Sequence, residues 1–258
     1  MSRKFRNNAL KIAVVLIIIL SFYFLDFSGR TPLTGKYISQ IFTGLTHPDW
    51  SFVYQKGSNE DLLSLMWETI MIALYGTGLG TLLSIPFILL ASSSIWGKFT
   101  IVPKIGKFIL NIMRAIPTII YAILFVRVVG PGPFAGGLAI GTQLVGMLGK
   151  LISNAMDNVD NTPIEALNSV GASKFQTFQY AHLPQITSIS VSHILNHFEI
   201  SVRSATILGL VGAGGIGAPI IFALQSRDWG KVSIILIAII IVVLIIDALG
   251  TFIRKKLA

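Results

Sequence analysis

The chain contains no cysteine among its 258 residues. That excludes disulfides, iron–sulfur clusters and thiolate metal sites, and leaves the redox compartment undecided. Charge is scarce as well: 12% of residues are Asp, Glu, Lys or Arg, against about 25% in a soluble domain. The acids are the rarer sign, 11 against 20 basic residues, for a net charge of +9. No G-x-x-x-x-G-K-[ST] phosphate-binding loop occurs; the nearest pair, Gly149-Lys150, is followed by Leu151. ATP hydrolysis by this chain is therefore not expected. His193 and His197 are spaced as helical metal ligands would be, but Ile194 stands where H-E-x-x-H needs glutamate. With no paired acidic motif and no nucleophile beside a base, a membrane-embedded enzyme is disfavoured, and no metal or cofactor is expected.

What the chain has in abundance is apolar surface. It is 53% hydrophobic, with a mean hydropathy of +0.76, which places it in the membrane class. A bilayer-spanning helix needs about 20 mostly apolar residues. Six such segments are predicted, at 9–27, 66–91, 108–129, 137–156, 186–211 and 232–253, making an all-α polytopic membrane protein. The first is the weakest, trimmed by Lys11 and Asp26. No A-x-A-like cleavage site follows it, so a retained anchor is expected rather than a signal peptide. Residues 1–65 thus read as an anchor helix with an outer loop, and 66–258 as a five-helix core. The N-terminus is placed inside by its basic neighbours. Arg3, Lys4, Arg6, Lys11, Lys98, Lys104, Lys107, Lys174, Arg254, Lys255 and Lys256 then lie inside, against Arg30, Lys36, Lys56 and Arg227 outside. Eleven against four puts both termini in the cytoplasm. The expected surroundings are lipid, with no nucleic acid.

The stretch "RSATILGLVGAGGIGAP", residues 203–219, contains G-x-G-x-x-G at Gly212, Gly214 and Gly217. A dinucleotide-binding loop would sit in the cytoplasm with an acid about 20 residues on. Here the glycines follow the fifth span on its outer side, and the apolar "SIILIA" occupies that position. Gly212, Gly214, Gly215 and Gly217 instead read as a tight turn needing positive φ and close backbone approach. The same turn can act as a flexible outer gate.

Residues 158–185 form the longest internal cytoplasmic loop. Thr162-Pro163-Ile164-Glu165 reads as a capping box with proline at the first helical position, and Ser173 to Gln176 as a second box. Gly171 separates the two short helices, and Leu183-Pro184 is expected to end the second and turn the chain toward the membrane. The loop reads either as ordinary ordered structure or as a docking element for a partner.

The spacing Glu165-Ala166-Leu167, three residues, Gly171, nine residues, Ala181-His182-Leu183-Pro184 resembles the E-A-A loop of ABC importer permeases. Leu167 and Ala181 depart from that pattern. "VGPGPFAGGLAI" (129–140) and "RSATILGLVGAGGIG" (203–217) resemble the permease of phosphonate-type ABC importers, a likeness covering roughly residues 60–255. The resemblance implies a type I ABC importer permease that moves phosphonates by alternating access. It also implies a second permease copy, two cytoplasmic ATPase subunits and an extracytoplasmic phosphonate-binding protein. Glu165, Ala166, Gly171, Leu183 and Pro184 would then dock on the ATPase. Phosphite, phosphate or another small solute are alternative cargoes.

The fifth span is unusually polar. Ser188, Ser192, Asn196, Glu199, Arg203 and Thr206 fall within an arc of ~80° on a 3.6-residue helix. A charge at the bilayer centre costs at least ~2.5–3.5 kcal/mol. Glu199 and Arg203, at i and i+4, are in the favoured order for an ion pair. Two readings stay open: the pair neutralises itself and braces the bundle, or Ser192, Asn196, Glu199, Arg203 and Thr206 line the translocation path. In the second case Arg203 would offer a planar fork to a tetrahedral oxyanion. Arg114 and Arg127, near the ends of the third span, are expected to snorkel, as are Lys150 and Asp247. Gly76 and Gly80 form a small-xxx-small pair for close packing within or between subunits.

Overall fold

The computed structural model describes residues 3–24, 35–54, 61–97 and 100–257, and among these helix is nearly the only regular element. Two helices come first, α1 (Arg3–Phe24) and the shorter α2 (Gly35–Thr46). The long α3 (Leu62–Ala91) is followed by the single turn α4 (Ser93–Trp96), then α5 (Ile101–Ala115) and α6 (Thr118–Val129). After α7 (Pro133–Asp157) come α8 (Thr162–Ser169) and α9 (Lys174–Thr177). The chain ends with α10 (Leu183–Leu208), α11 (Gly217–Gln225) and α12 (Trp229–Leu257). Residues 1–43 form one compact unit and 44–258 another.

Five expected spans fall in the second unit, and each corresponds to helix. α3, α7 and α12 are long and apolar enough to cross a bilayer. The other expected spans differ from that simple picture. The apolar run of α1 is short, Lys11–Phe24, and the predicted end of that span at 25–27 lies outside the described residues, as do Arg30, Lys56 and Lys98. α10 has 26 residues, enough to cross, but its polar side chains keep it outside the group of long apolar helices. The third expected span is broken: α5 and α6 meet at 83°. Pro117 explains the break, because a proline disfavours helical backbone at the residue before it. Ile116 and Pro117 are both extended, at ψ 123° and 144°. Breaking a helix in lipid frees backbone carbonyls that need donors. The Tyr121 hydroxyl donates to the Met113 carbonyl at 2.9 Å.

α7 is the hub. Two-thirds of its membrane-length window (67%) is buried, against 22% for α12. Lipid tails are as apolar as leucine, so helices associate by close packing rather than by escape from water. α3 and α7 achieve this with glycines on both sides. A Cβ on Gly76 would lie 2.7 Å from Ile140 Cβ, and one on Gly80 would lie 2.6 Å from Leu144 Cβ and 2.8 Å from the Gly141 carbonyl. Gly137 and Gly141 answer from α7, against Tyr75 and Leu79. The Gly76/Gly80 pair therefore serves contact within one chain. α5 docks on the same hub: Leu110 fills the space left by Gly149, and the backbone of Arg114 rests on Gly146.

One end of this bundle is pinned by Asp157, the last residue of α7. Its Oδ2 meets Lys107 Nζ at 2.7 Å, while Oδ1 accepts from Ser92 Oγ and the Ser94 amide, each at 3.1 Å. One carboxylate, taking three donors on its two oxygens, thus ties α3, α4, α5 and α7 together.

The seam makes a prediction. Gly80→Val should lower the thermal unfolding midpoint of the detergent-solubilised protein, with overpacking costing about 1–3 kcal/mol. Gly78→Ala should leave it unchanged or raise it, because nothing lies within 4 Å of a Cβ there. Equal effects of the two substitutions would remove the seam's special role.

Candidate functional site

The loop between α7 and α10 folds from local signals, though the first differs from expectation. Thr162 does not cap α8 through its side chain. Asp160 does the work instead, accepting from the Thr162 amide at 2.9 Å and its hydroxyl at 2.8 Å. A carboxylate suits a helix start better than a hydroxyl, because it also meets the positive end of the helix dipole. These Thr162 hydrogen bonds hold the Asp160 carboxyl below the usual aspartate range. The second box is present in full: Ser173 and Gln176 each bond the other's backbone amide. Gly171 lies between the helices at φ +80°, with nothing within 4 Å of a Cβ, so the backbone conformation alone demands glycine.

Leu183-Pro184 does not end a helix as expected. A wide π-turn over Phe178–His182 runs directly into α10, with Pro184 in its first turn. The Leu183 amide still bonds the Phe178 carbonyl across the π-turn, so the proline interrupts the ladder only by the one amide it lacks. Gln185 then closes the loop on itself. Its Oε1 accepts from the Asp160 amide at 2.9 Å, and its Nε2 donates to the Asp160 and Ala181 carbonyls at 3.2 and 2.9 Å. The loop's entry is thereby fastened to the base of α10. Glu165, Ala166, Leu183 and Pro184 are exposed. So are Val170, Phe175 and Tyr180, at 80%, 72% and 66%. A recess of about 420 Å³ opens among Leu167, Val170, Gly171, Ala172, Gln176 and Tyr180.

α10 distributes its polar arc between two surroundings. Glu199 does not pair with the Arg203 side-chain charge. It is buried, and its Oε1 meets Arg254 Nη1 of α12 at 2.6 Å. Gly250 makes the room: a Cβ there would collide with Glu199 Oε1. The arc explains the split, since Glu199 and Thr206 lie at one edge and Arg203 and Asn196 some 40–80° away. Arg203 and Asn196 are exposed, Ser188, Ser192 and Thr206 half-buried. The Arg203 Nε donates only a long 3.4 Å bond to the Glu199 carbonyl, and no acid pairs with its guanidinium among the described residues. His197 is buried and His193 half-buried. Among the described residues no three His, Asp or Glu groups converge as a metal site would require.

The glycines of 212–217 form a constrained turn. Gly212, Gly214 and Gly215 have φ of +82°, +83° and +73°. Gly217 serves differently: it starts α11 and lets that helix approach Gly209 and the Thr206 carbonyl. α3 holds the turn. Glu68 Oε1 accepts from the Gly215 amide, and Thr69 Oγ1 from the Ile216 amide, each at 3.0 Å. A cleft of about 850 Å³ opens beside it, with Glu68, Asp228 and Lys231 among its lining residues. Glu68, Thr69 and Asp157 escape a sequence reading, because each bonds to a segment more than 45 residues away. Their only local signal is polarity within an apolar helix.

Taken together, these features define a class: a helical multi-pass membrane protein with a broken span, a glycine-built turn and a structured loop between α7 and α10. Its sequence over residues 84–258 matches the binding-protein-dependent transport system inner membrane component, and the chain belongs to that family. It is 32% identical over 188 residues to the phosphite transport system permease protein PtxC of Stutzerimonas stutzeri, covering 73% of this chain and 68% of that one. It is 33% identical over 217 residues to the phosphate-import permease protein PhnE of Mycolicibacterium smegmatis, covering 84% of this chain and 40% of that one. A chain of the MetNI methionine ABC transporter in inward-facing conformations superposes with a TM-score of 0.69 at 22% identity, over 79% of this chain and 100% of that one. The fold is that of a type I ABC importer permease. The chain is thus a multi-pass subunit of the cell membrane, and membership implies an ATPase and a substrate-binding partner.

The Glu199–Arg254 pair sets a stability order. Arg254→Ala strands a buried carboxylate, a loss of up to ~3–5 kcal/mol. Glu199→Gln leaves an arginine that can reach toward the headgroups, which costs less. The unfolding midpoint in detergent should therefore fall further for Arg254→Ala than for Glu199→Gln, and the double substitution should recover part of the loss. The reverse order would mean that Arg254 braces α12 through other contacts.

Proposed function

We propose that the chain carries phosphonates inward across the cytoplasmic membrane by alternating access, driven by ATP closure of its partner subunits. The carrying observation is the Asp160–Gln185 clamp, which fastens the docking loop to the base of α10. A push on the loop then reaches the helix that bears Arg203 and Asn196. The exposed apolar side chains around Gly171 suit insertion into a partner groove, and Glu165 adds a charge at its rim. Both termini lie in the cytoplasm in this reading, and a second permease copy completes the path.

Arg203 supports an anionic cargo. No acid among the described residues neutralises its guanidinium, and a tetrahedral oxyanion fits its planar fork. The contact must be weak enough to release the cargo. Ser192, Asn196 and Thr206 add neutral polar groups along the same helix, while Glu199 braces α10 against α12. Gly212, Gly214, Gly215 and Gly217 form the outer gate, with Glu68 and Thr69 as its latch. A second cargo reading, phosphite or phosphate, is favoured by the names of the relatives above.

Uptake into vesicles holding the chain with its ATPase and binding protein tests the cargo. ATP-dependent uptake of a labelled alkylphosphonate should persist under excess phosphite or phosphate. Uptake abolished by one competitor would move the cargo to that anion, and no uptake of any of the three would overturn the oxyanion reading.

Coupling has its own test. Gly171→Val forces a branched side chain into positive φ. It should cut uptake about tenfold or more, within the range of interdomain coupling energies, while ATP hydrolysis and membrane accumulation continue. Normal uptake in that variant would sink the docking role of the loop.

A further inference from the structure

The break between α5 and α6 brings a second cation to mid-depth. We infer that Arg114, at the break that also carries Thr118 and faces Gln143 one turn before Gly146 on α7, forms an inner oxyanion contact on the translocation path. Sequence alone places Arg114 near the end of a continuous span, where snorkelling would explain it. The structure moves it. Its backbone rests on Gly146, thirteen residues after Pro133 and eleven before Asp157 at the two ends of α7. Arg114 therefore sits near the middle of the hub helix, about 17–20 Å from either end at 1.5 Å per residue.

Three observations converge there. The Arg114 side chain is exposed, and no acid pairs with it among the described residues. A charge facing lipid at that depth costs ~2.5–3.5 kcal/mol or more. Irregular backbone at membrane depth persists only inside protein or along a water-filled cavity, and Ile116-Pro117 is such a stretch. Finally, the break gathers neutral hydrogen-bonding groups: the Thr118 hydroxyl is bonded to Gln143 Oε1 across α6 and α7. That bond orients the Gln143 amide so that its Nε2 protons remain to donate. A guanidinium fork and an amide donor at one helix break match the oxygens of a small phosphorus oxyanion. Arg203 lies elsewhere on the route, six residues before the outer turn at Gly209. Two weak contacts at separate depths allow an anion to pass inward without being trapped.

This assignment rests on the oxyanion-import reading above, so two measurements separate them. The chain has no cysteine, so Arg114→Cys carries the only thiol. In the assembled complex in vesicles, a charged, membrane-impermeant methanethiosulfonate should label it, with no cargo required. A thiol that resists labelling from both sides would overturn the assignment. For transport, Arg114→Gln should lower maximal oxyanion uptake about tenfold or more, the scale of one charged hydrogen bond, with binding-protein-stimulated ATP hydrolysis and the unfolding midpoint unchanged. Arg114→Lys should restore much of the rate, because it keeps the charge. Wild-type uptake by Arg114→Gln, or equal loss in Arg114→Lys with a lowered midpoint, would overturn the assignment. A wild-type complex that moves no oxyanion would overturn the cargo reading; labelling would still show the break facing water.

Discussion

Lipid offers no hydrophobic reward for bringing two helices together, so this bundle depends on how closely two backbones can approach. α3 and α7 solve that with glycines at 76, 80, 137 and 141, each matched to a larger side chain or a carbonyl on the other helix. Everything else is hung on that seam. α5 lies against Gly146 and Gly149 of the same hub, and Asp157 at its end collects Lys107, Ser92 and Ser94. At the other end, Glu68 and Thr69 of α3 hold the glycine turn that leads into α11.

Charge is used sparingly and in two ways. Two acids are held by cations from helices distant in the chain, the half-buried Asp157 by Lys107 and the buried Glu199 by Arg254. Such pairs fix which helix faces meet, because leaving either acid alone in a low-dielectric interior would be costly. Arg114 and Arg203 are the contrast. Both are exposed, and neither is paired with an acid among the described residues. In a membrane helix that arrangement needs water or a charged visitor, which is why both belong in the proposed anion path.

The loop before α10 joins these parts mechanically. Its helices are capped locally by Asp160, Ser173 and Gln176. Hydrogen bonds tie it to the base of α10 through Gln185, and Val159 and Phe178 pack on the core of the bundle. A stiff element joined at its base to one long helix can transmit a push, whereas a floppy loop would absorb it.

The sequence by itself determined the features that depend on neighbours three or four residues apart. Apolar runs of bilayer length marked α3, α7, α10 and α12 to within a few residues, though not the break between α5 and α6, and the second capping box and the positive-φ Gly171 were legible as written. So was the glycine turn, because no other residue adopts those angles cheaply. The tertiary structure alone decided which faces meet. The i, i+4 spacing suggested that Glu199 would pair with Arg203. A cation 55 residues away took it instead, because Gly250 opened a gap at that depth. Pro117 was visible in the sequence, but only the contact with Gly146 put Arg114 beside the middle of α7. The physical reason is that a helix apolar on nearly all sides has no distinct face to read. Its partner is chosen by steric fit between residues far apart in the chain, and that fit exists only once the helices are packed.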